Sequence, residues 1–261
     1  FGFKNHIING GFDVWQRGTS FVSMGAIYTA DRWVSWASGG NTNVTKVGAN
    51  LFTNLASEVG LGIQISPQAG SLVCPLEQRF ESFVATKMTV SFIINSSTAM
   101  NVKARITDRT TSNPDVSGVT IPIGTQDTLY THTFENMEAY ARNGMSLVID
   151  FLGYTAGITN INIANVQLEE GSVATPFEQR PYGLELSLCQ RYCQTSYASA
   201  VSTGFVQDYK FSEVRISPSI VVLSQTYSGN AYFTATSVES FRQQAYTASS
   251  GNCYLLLDAE L

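Results

Sequence analysis

The side chains in this sequence with most to offer a ligand are aromatic rings set beside amides and hydroxyls. A pyranose presents a face of C–H groups that packs on an aromatic ring, while its hydroxyls bond to Asn, Gln, Asp or Arg, so rings and polar groups on one surface suit that chemistry. Trp36 is one such ring. It lies three residues past Trp33, so in a regular strand the two face opposite sides, and Ser35, Ser38 and Asn41 stand close to Trp36 in the chain. Toward the C-terminus, Tyr227, Asn230, Tyr232 and Arg242 gather around predicted turns, with Phe233, Phe241, Tyr246, Gln243 and Gln244 beside them. Trp36, Tyr227, Asn230, Tyr232 and Arg242 are therefore the candidate ligand contacts, whereas Trp15 and Trp33 read as core.

Catalysis is poorly served. There are two histidines, His6 and His132, and neither lies in a recognisable nucleophile motif, although a general base must reach its nucleophile. Glycoside hydrolysis needs two carboxyl groups roughly 5 to 9.5 Å apart. Glu169 and Glu170 are the only adjacent acidic pair. Neighbouring side chains point apart in extended backbone, so this pair reads as a solvated turn. Asp13 and Asp31 read as turn residues bonded to local backbone or to Arg17 and Arg32. Cys74, Cys189, Cys193 and Cys253 form no C-x-x-C pair. They read as buried thiols of a protein folded in a reducing cytoplasm. The expectation is a protein that is not an enzyme and has no catalytic residues.

Composition narrows the partners. Hydrophobic residues make up 44% of the 261 positions, enough for a core, but charged residues only 13%, against roughly 25% in typical proteins. Ser, Thr, Asn, Gln and Gly take their place, a neutral polar surface that suits extracellular β-proteins and virion parts. A net charge of −5 with 15 scattered basic residues argues against nucleic acid. No run approaches the roughly 18 apolar residues of a membrane span. The chain begins Phe-Gly-Phe-Lys without Met, and we read it as the C-terminal portion of a longer polypeptide.

The elements that must position these residues are short strands. Val, Ile, Thr, Phe and Tyr segments punctuated by Asn, Gly and Ser fill the first 170 residues, predicting an all-β sandwich. Strands are predicted at residues 7–15, 30–37, 42–47, 60–65, 71–80, 87–95, 101–107, 130–134, 145–151 and 161–168. In residues 87–94 Met88, Val90, Phe92 and Ile94 share one face. Ten short strands fit a jelly roll. Two prolines in residues 175–181 make an extended connector, after which Leu184, Leu188 and Tyr192 recur every fourth residue and predict a helix at 182–194, with Cys189 and Cys193 on one face. From residue 197 onward β-patterns return, with hairpin-type turns expected at 227–231 and 249–252. The predicted organisation is a jelly roll (1–180), a connecting helix (181–196) and a small antiparallel C-terminal β-domain (197–261).

Three stretches carry a family resemblance. Residues 161–187 read INIANVQLEEGSVATPFEQRPYGLELS; residues 9–19 read NGGFDVWQRGT; residues 28–33 read YTADRW. Together they resemble bacteriophage and prophage tail-fibre or receptor-binding proteins, in which a jelly roll like a carbohydrate-binding module ends in such a segment. The match runs on through Tyr192, residues 214–218 and the final residues 257–261. The resemblance implies a virion protein of the phage tail, assembled in the host cytoplasm, that mediates host attachment by binding cell-surface glycan. It implies a homotrimer that contacts other tail proteins, with recognition in turns of the C-terminal domain. It also leaves room for structural Ca²⁺ at Asp13 or Asp31. A structural or assembly module of the tail is the alternative function, and a polysaccharide hydrolase a less favoured one.

Overall fold

The computed structural model describes residues 3–52, 62–70, 73–108, 114–200, 206–210, 219–225, 229–237, 240–248 and 251–258. It divides into two compact units, Phe1–Tyr182 and Gly183–Leu261. The chain is all-β with a jelly-roll first unit. That unit holds β1 (Ser20–Tyr28), β2 (Val34–Val47), β3 (Gly62–Pro67), β4 (Leu76–Arg79), β5 (Lys87–Ser96), β6 (Met100–Asp108), β7 (Val116–Ser117), β8 (Ile121–Ile123), β9 (Thr128–Glu135), β10 (Met145–Leu152) and β11 (Ile161–Glu170). A short helix, α1 (Glu138–Asn143), joins β9 to β10.

These strands form one continuous antiparallel sheet in the order β7-β6-β10-β4-β2-β3-β11-β5-β9, with β1 against β2 and β8 against β6. Strand β2 is shared by the two halves. Its first residues pair with β4 (Val34 with Glu77), while its last pair with β3 (Thr42 with Pro67 through Val47 with Gly62). The transfer takes place at residues 38–41, where the register jumps from Gly25↔Ala37 to Ser23↔Thr42. Gly25 and Gly39 supply the positive φ (87° and 80°) that this bend needs and that L side chains rarely adopt.

The core lies between the halves. Met88, Val90, Phe92 and Ile94 of β5 are fully buried with Ile161, Ile163, Val166 and Leu168 of β11, and they share one cluster with Val102, Ala104 and Ile106 of β6 and Leu147 and Ile149 of β10. Each large apolar side chain buried in this way contributes roughly 1.5–3 kcal/mol. Tyr130 stacks on Phe92 (4.6 Å, 4°), and its hydroxyl donates to Val119 O (2.8 Å) and accepts from Ala104 N (3.0 Å). On the other side of β11 a run of side-chain hydrogen bonds crosses the strands: Gln64 to Asn162 (2.9 Å), Asn162 to Asn95 (2.7 Å) and Asn95 to Asp127 (2.8 Å).

Several local expectations change. Residues 7–15 are not a strand: Asn9 and Phe12 have φ of 58° and 56°, and the segment folds as turns. Predicted strands 30–37 and 42–47 are one bent strand preceded by a turn at Arg32 (φ 73°). Strand β1 and helix α1 were not foreseen. The acidic pair belongs to the end of β11 rather than to a turn, and Glu169 is buried rather than solvated.

The second unit holds α2 (Tyr182–Gln190), which begins at the boundary, then β12 (Cys193–Ala200), β13 (Val206–Lys210), β14 (Ser219–Gln225), β15 (Gly229–Ser237), β16 (Ser240–Ala248) and β17 (Gly251–Asp258). They form two sheets, β12-β17-β14 and β13-β16-β15. The expected hairpin turns lie partly outside the described residues, and the strands they were to pair fall in different sheets, since β14 pairs with β17 and β15 with β16. The helix stops at Gln190, four residues before its predicted end. Cys189 sits in its last turn and Cys193 opens β12, so the two are not on one helical face. The buried helical positions are Glu185 and Cys189, while Leu184 and Leu188 are only half-buried. Leu255 and Leu257 of β17 are fully buried.

Candidate functional site

The stretches that carry the resemblance lock the fold. The Asn9 side chain is fully buried; its amide donates to Val14 O (2.8 Å) and Asp31 O (3.0 Å), and its Oδ1 accepts from Val14 N (2.9 Å). Trp33 donates to Asn9 O (2.9 Å), and Asp31 accepts from the Gln16 backbone (2.9 Å) and side chain (2.5 Å) with Arg17 at 3.7 Å. Asp31 is thus committed to local hydrogen bonding. At the other end of the unit, Glu169 accepts from Thr175 N (2.8 Å), Thr175 Oγ1 (2.7 Å) and Gln167 (2.8 Å). Burial alone raises a carboxyl pKa, but these donors and Lys4 outweigh it and hold Glu169 below the ordinary value. Glu178 accepts from Asn5 N, and Arg180 donates to Ile7 O and Asn5 O. The connector 173–180 therefore clamps residues 5–7, which also pair with Leu168 of β11.

Trp36 stands apart from these locks. Trp33 is fully buried in the core and Trp15 packs against it, but Trp36 belongs to neither set and is half-buried on the outward face of β2. Its neighbour on β1 is the exposed Ala26. Extending the β2–β4–β10 register by one residue puts Trp36 and Asp150 on the same rung with Pro75 between them, a separation of about 10 Å at the usual strand spacing. Asp150 is opposite Lys103 and receives Arg105 Nε (2.8 Å), while Arg105 NH1 also meets Asp115 (2.6 Å). Two positions along, on the same face, the rung carries Tyr28, Val34, Glu77, Val148 and Arg105, and the Arg17 guanidinium lies 5.1 Å from the Tyr28 ring centroid. Just past Trp36 in the chain, the bend encloses a hollow of about 430 Å³ lined by Gly25, Ala37, Gly39, Gly40 and Asn41. The arrangement offers an aromatic face, a backbone-lined recess with an amide, and carboxylates whose geometry is fixed by Arg105.

Of the other candidates, Tyr227 lies outside the described residues. Tyr232 falls within β15 and Arg242 within β16, in the strands expected there, while Asn230 also lies within β15 rather than in the expected turn; Thr234 is opposite Arg242, and Tyr232 opposite Gln244. They share the β13-β16-β15 sheet, and Trp36 belongs to the other unit. Tyr28, Glu77, Arg105 and Asp150 were not singled out from the sequence, because only the cross-strand register brings them beside Trp36.

No family model matches the chain, and no curated protein matches its sequence. Solved structures with a similar backbone include the enzymatically active domain of tailspike protein 4 from bacteriophage CBA120 (15% identity, covering 64% of this chain and 21% of that one, TM-score 0.43). They also include TmCBM61 in complex with β-1,4-galactotriose (12%, 65% and 100%, 0.44) and a cyclase from Fischerella sp. TAU (17%, 65% and 97%, 0.43). The chain thus spans about a fifth of the tailspike chain it resembles. At these identities and scores none of them assigns a ligand or an activity to this chain.

Among the described residues, no group of three or more His, Cys, Asp or Glu is placed to hold a metal ion. His132 meets Phe134 edge-on at 4.8 Å, and His6 stacks on Phe83 at 4.4 Å with Glu170 at 3.4 Å. Burial holds both imidazoles below their ordinary pKa, for His6 against the pull of Glu170. Among the described residues no helix is long and apolar enough to cross a membrane.

Proposed function

We propose that this chain is a non-catalytic attachment protein of a bacteriophage tail that binds host-surface glycan on the outward face around Trp36. The tail-fibre reading rests on the sequence stretches that resemble that family. The glycan reading rests on one observation: among the tryptophans, Trp36 is the one outside the core cluster, and it stands half-buried on a strand face. A sugar stacked on the indole has Asn41 and the Arg105–Asp150 pair as hydroxyl partners. The protein acts as a homotrimer, since the second unit, at Gly183–Leu261, is a small β-fold that gains from subunit burial. A glycan array probed with the purified chain tests the binding: enrichment of a related set of envelope saccharides supports the proposal, and a blank array counts against it. Light scattering tests the assembly, with a particle of about three 28.4 kDa chains expected and a 28.4 kDa monomer contradicting it.

A further inference from the structure

A second aromatic platform exists, sharing no residue with the face around Trp36. Phe3 is 46% exposed although its ring is fixed from one side. The Arg180 guanidinium lies 4.8 Å from its centroid. That guanidinium is itself held by the carbonyls of Ile7 (2.9 Å) and Asn5, and the Arg180 side chain is only 4% exposed. One face of the ring is thus seated on a buried cation, an arrangement that restrains it before any ligand arrives. Val173, 71% exposed, lines the same cleft, whose volume of about 610 Å³ is within the roughly 300–1,000 Å³ of small-molecule sites.

The polar groups of this cleft fall into two classes. Glu169 is saturated by Thr175 and Gln167, and Lys4 Nζ is tied to Thr175 Oγ1 (3.0 Å). Glu170, by contrast, is 58% exposed and meets only the edge of His6 at 3.4 Å, and His6 is braced from behind by Phe83. A carboxylate accepts from two hydroxyls at once, and a neutral imidazole can donate or accept. A sugar carboxylate set against Glu170 would meet like charge, which disfavours an acidic sugar at that position.

We propose that this cleft is a second saccharide site, which takes one neutral pyranose unit with its C–H face on Phe3 and adjacent hydroxyls on Glu170 and His6. The site stands independently of the Trp36 reading. Saturation-transfer NMR on the full chain tests it, using methyl glucoside, methyl galactoside, N-acetylglucosamine and glucuronate as probes. At least one neutral probe should receive saturation and keep it in Trp36→Ala. Phe3→Ala should weaken that probe roughly tenfold, as expected for losing a stacking contact; Phe3→Tyr should retain it, and Glu170→Gln should weaken it. Absence of transfer to every neutral probe, signals lost in Trp36→Ala, signals untouched by Phe3→Ala, or glucuronate binding as well as glucoside would each overturn the proposal. Phe3 is exposed, so thermal unfolding followed by tryptophan emission should be unchanged in Phe3→Ala, which separates loss of binding from loss of folding.

Discussion

Replacing Asn9 by alanine should destabilise the first unit more than most surface or loop substitutions. The amide makes three hydrogen bonds, to Val14 N, Val14 O and Asp31 O, at a fully buried position with φ 58°. Removing it strands a buried N–H and two carbonyls. An unmet buried donor costs about 1–3 kcal/mol and the carbonyls add less each. Alanine in the left-handed region adds about 1 kcal/mol more. The sum, roughly 3–6 kcal/mol, is a large share of the roughly 5–15 kcal/mol by which domains are stable. At roughly 2–4 °C per kcal/mol it lowers Tm by about 6–24 °C. Trp15, Trp33 and Trp36, the only tryptophans, all lie in Phe1–Tyr182, so thermal unfolding followed by tryptophan emission reads this unit alone. Asn9→Gly should recover about 1 kcal/mol, because it relieves the backbone term and leaves the hydrogen-bond loss. A drop of under about 3 °C for Asn9→Ala would refute the reasoning, and equal effects of alanine and glycine would refute the backbone part.

Other outcomes follow from the same geometry. Gly10→Ala should abolish folding of the first unit or cost several kcal/mol, since a Cβ there would sit 2.1 Å from Val166 O; Gly153→Ala, with nothing within 4 Å of the added atom but φ +74°, should cost about 1 kcal/mol by the same emission assay. Because the folded pKa of Glu169 is depressed, its contribution to stability is fully present above about pH 4.5 and is lost as pH falls through the lower folded value. Urea titrations of Glu169→Gln should therefore be weaker than wild type at pH 7 and converge toward it in acid, and parallel curves would show that the carboxylate is not held by Thr175. Burial pushes the Cys74 thiol up to about 11; mass spectrometry should find Cys74 unlabelled by maleimide at pH 7.5 in the native chain and labelled in urea, and rapid native labelling would show that the segment before β4 opens.

The parts of this fold legible in the sequence were those set by local alternation. Met88, Val90, Phe92 and Ile94 face the core because a strand repeats every second residue, and the three-residue offset from Trp33 to Trp36 sends one ring inward and the other out. Alternation misled at residues 7–15, where Ile7, Phe12 and Val14 are buried through turns at Asn9 and Phe12 rather than through a pleat. It concealed β1 for a related reason, because the register breaks between Ser23 and Gly25 and the period breaks with it. The Gly-Asn stretches read as turns from their residue types, yet Gly229 and Asn230 open β15 and Gly251 and Asn252 open β17; which sheet each strand joins depends on distant pairing, so β14 and β15 parted company. Glu169 looked solvated because its partner Thr175 reaches it only after the connector doubles back. The surroundings of Trp36 were hidden for the same reason: Glu77, Arg105 and Asp150 are tens of residues away and meet on one face only through register.

The central claim is that glycan is held on Trp36, and titration calorimetry of the full chain against the saccharide most enriched on the array tests it most directly. Trp36→Ala should weaken binding by at least about tenfold, or 1.4 kcal/mol, with unfolding followed by the emission of Trp15 and Trp33 unchanged. Undiminished affinity in a folded Trp36→Ala protein would contradict the account and move recognition elsewhere on the chain.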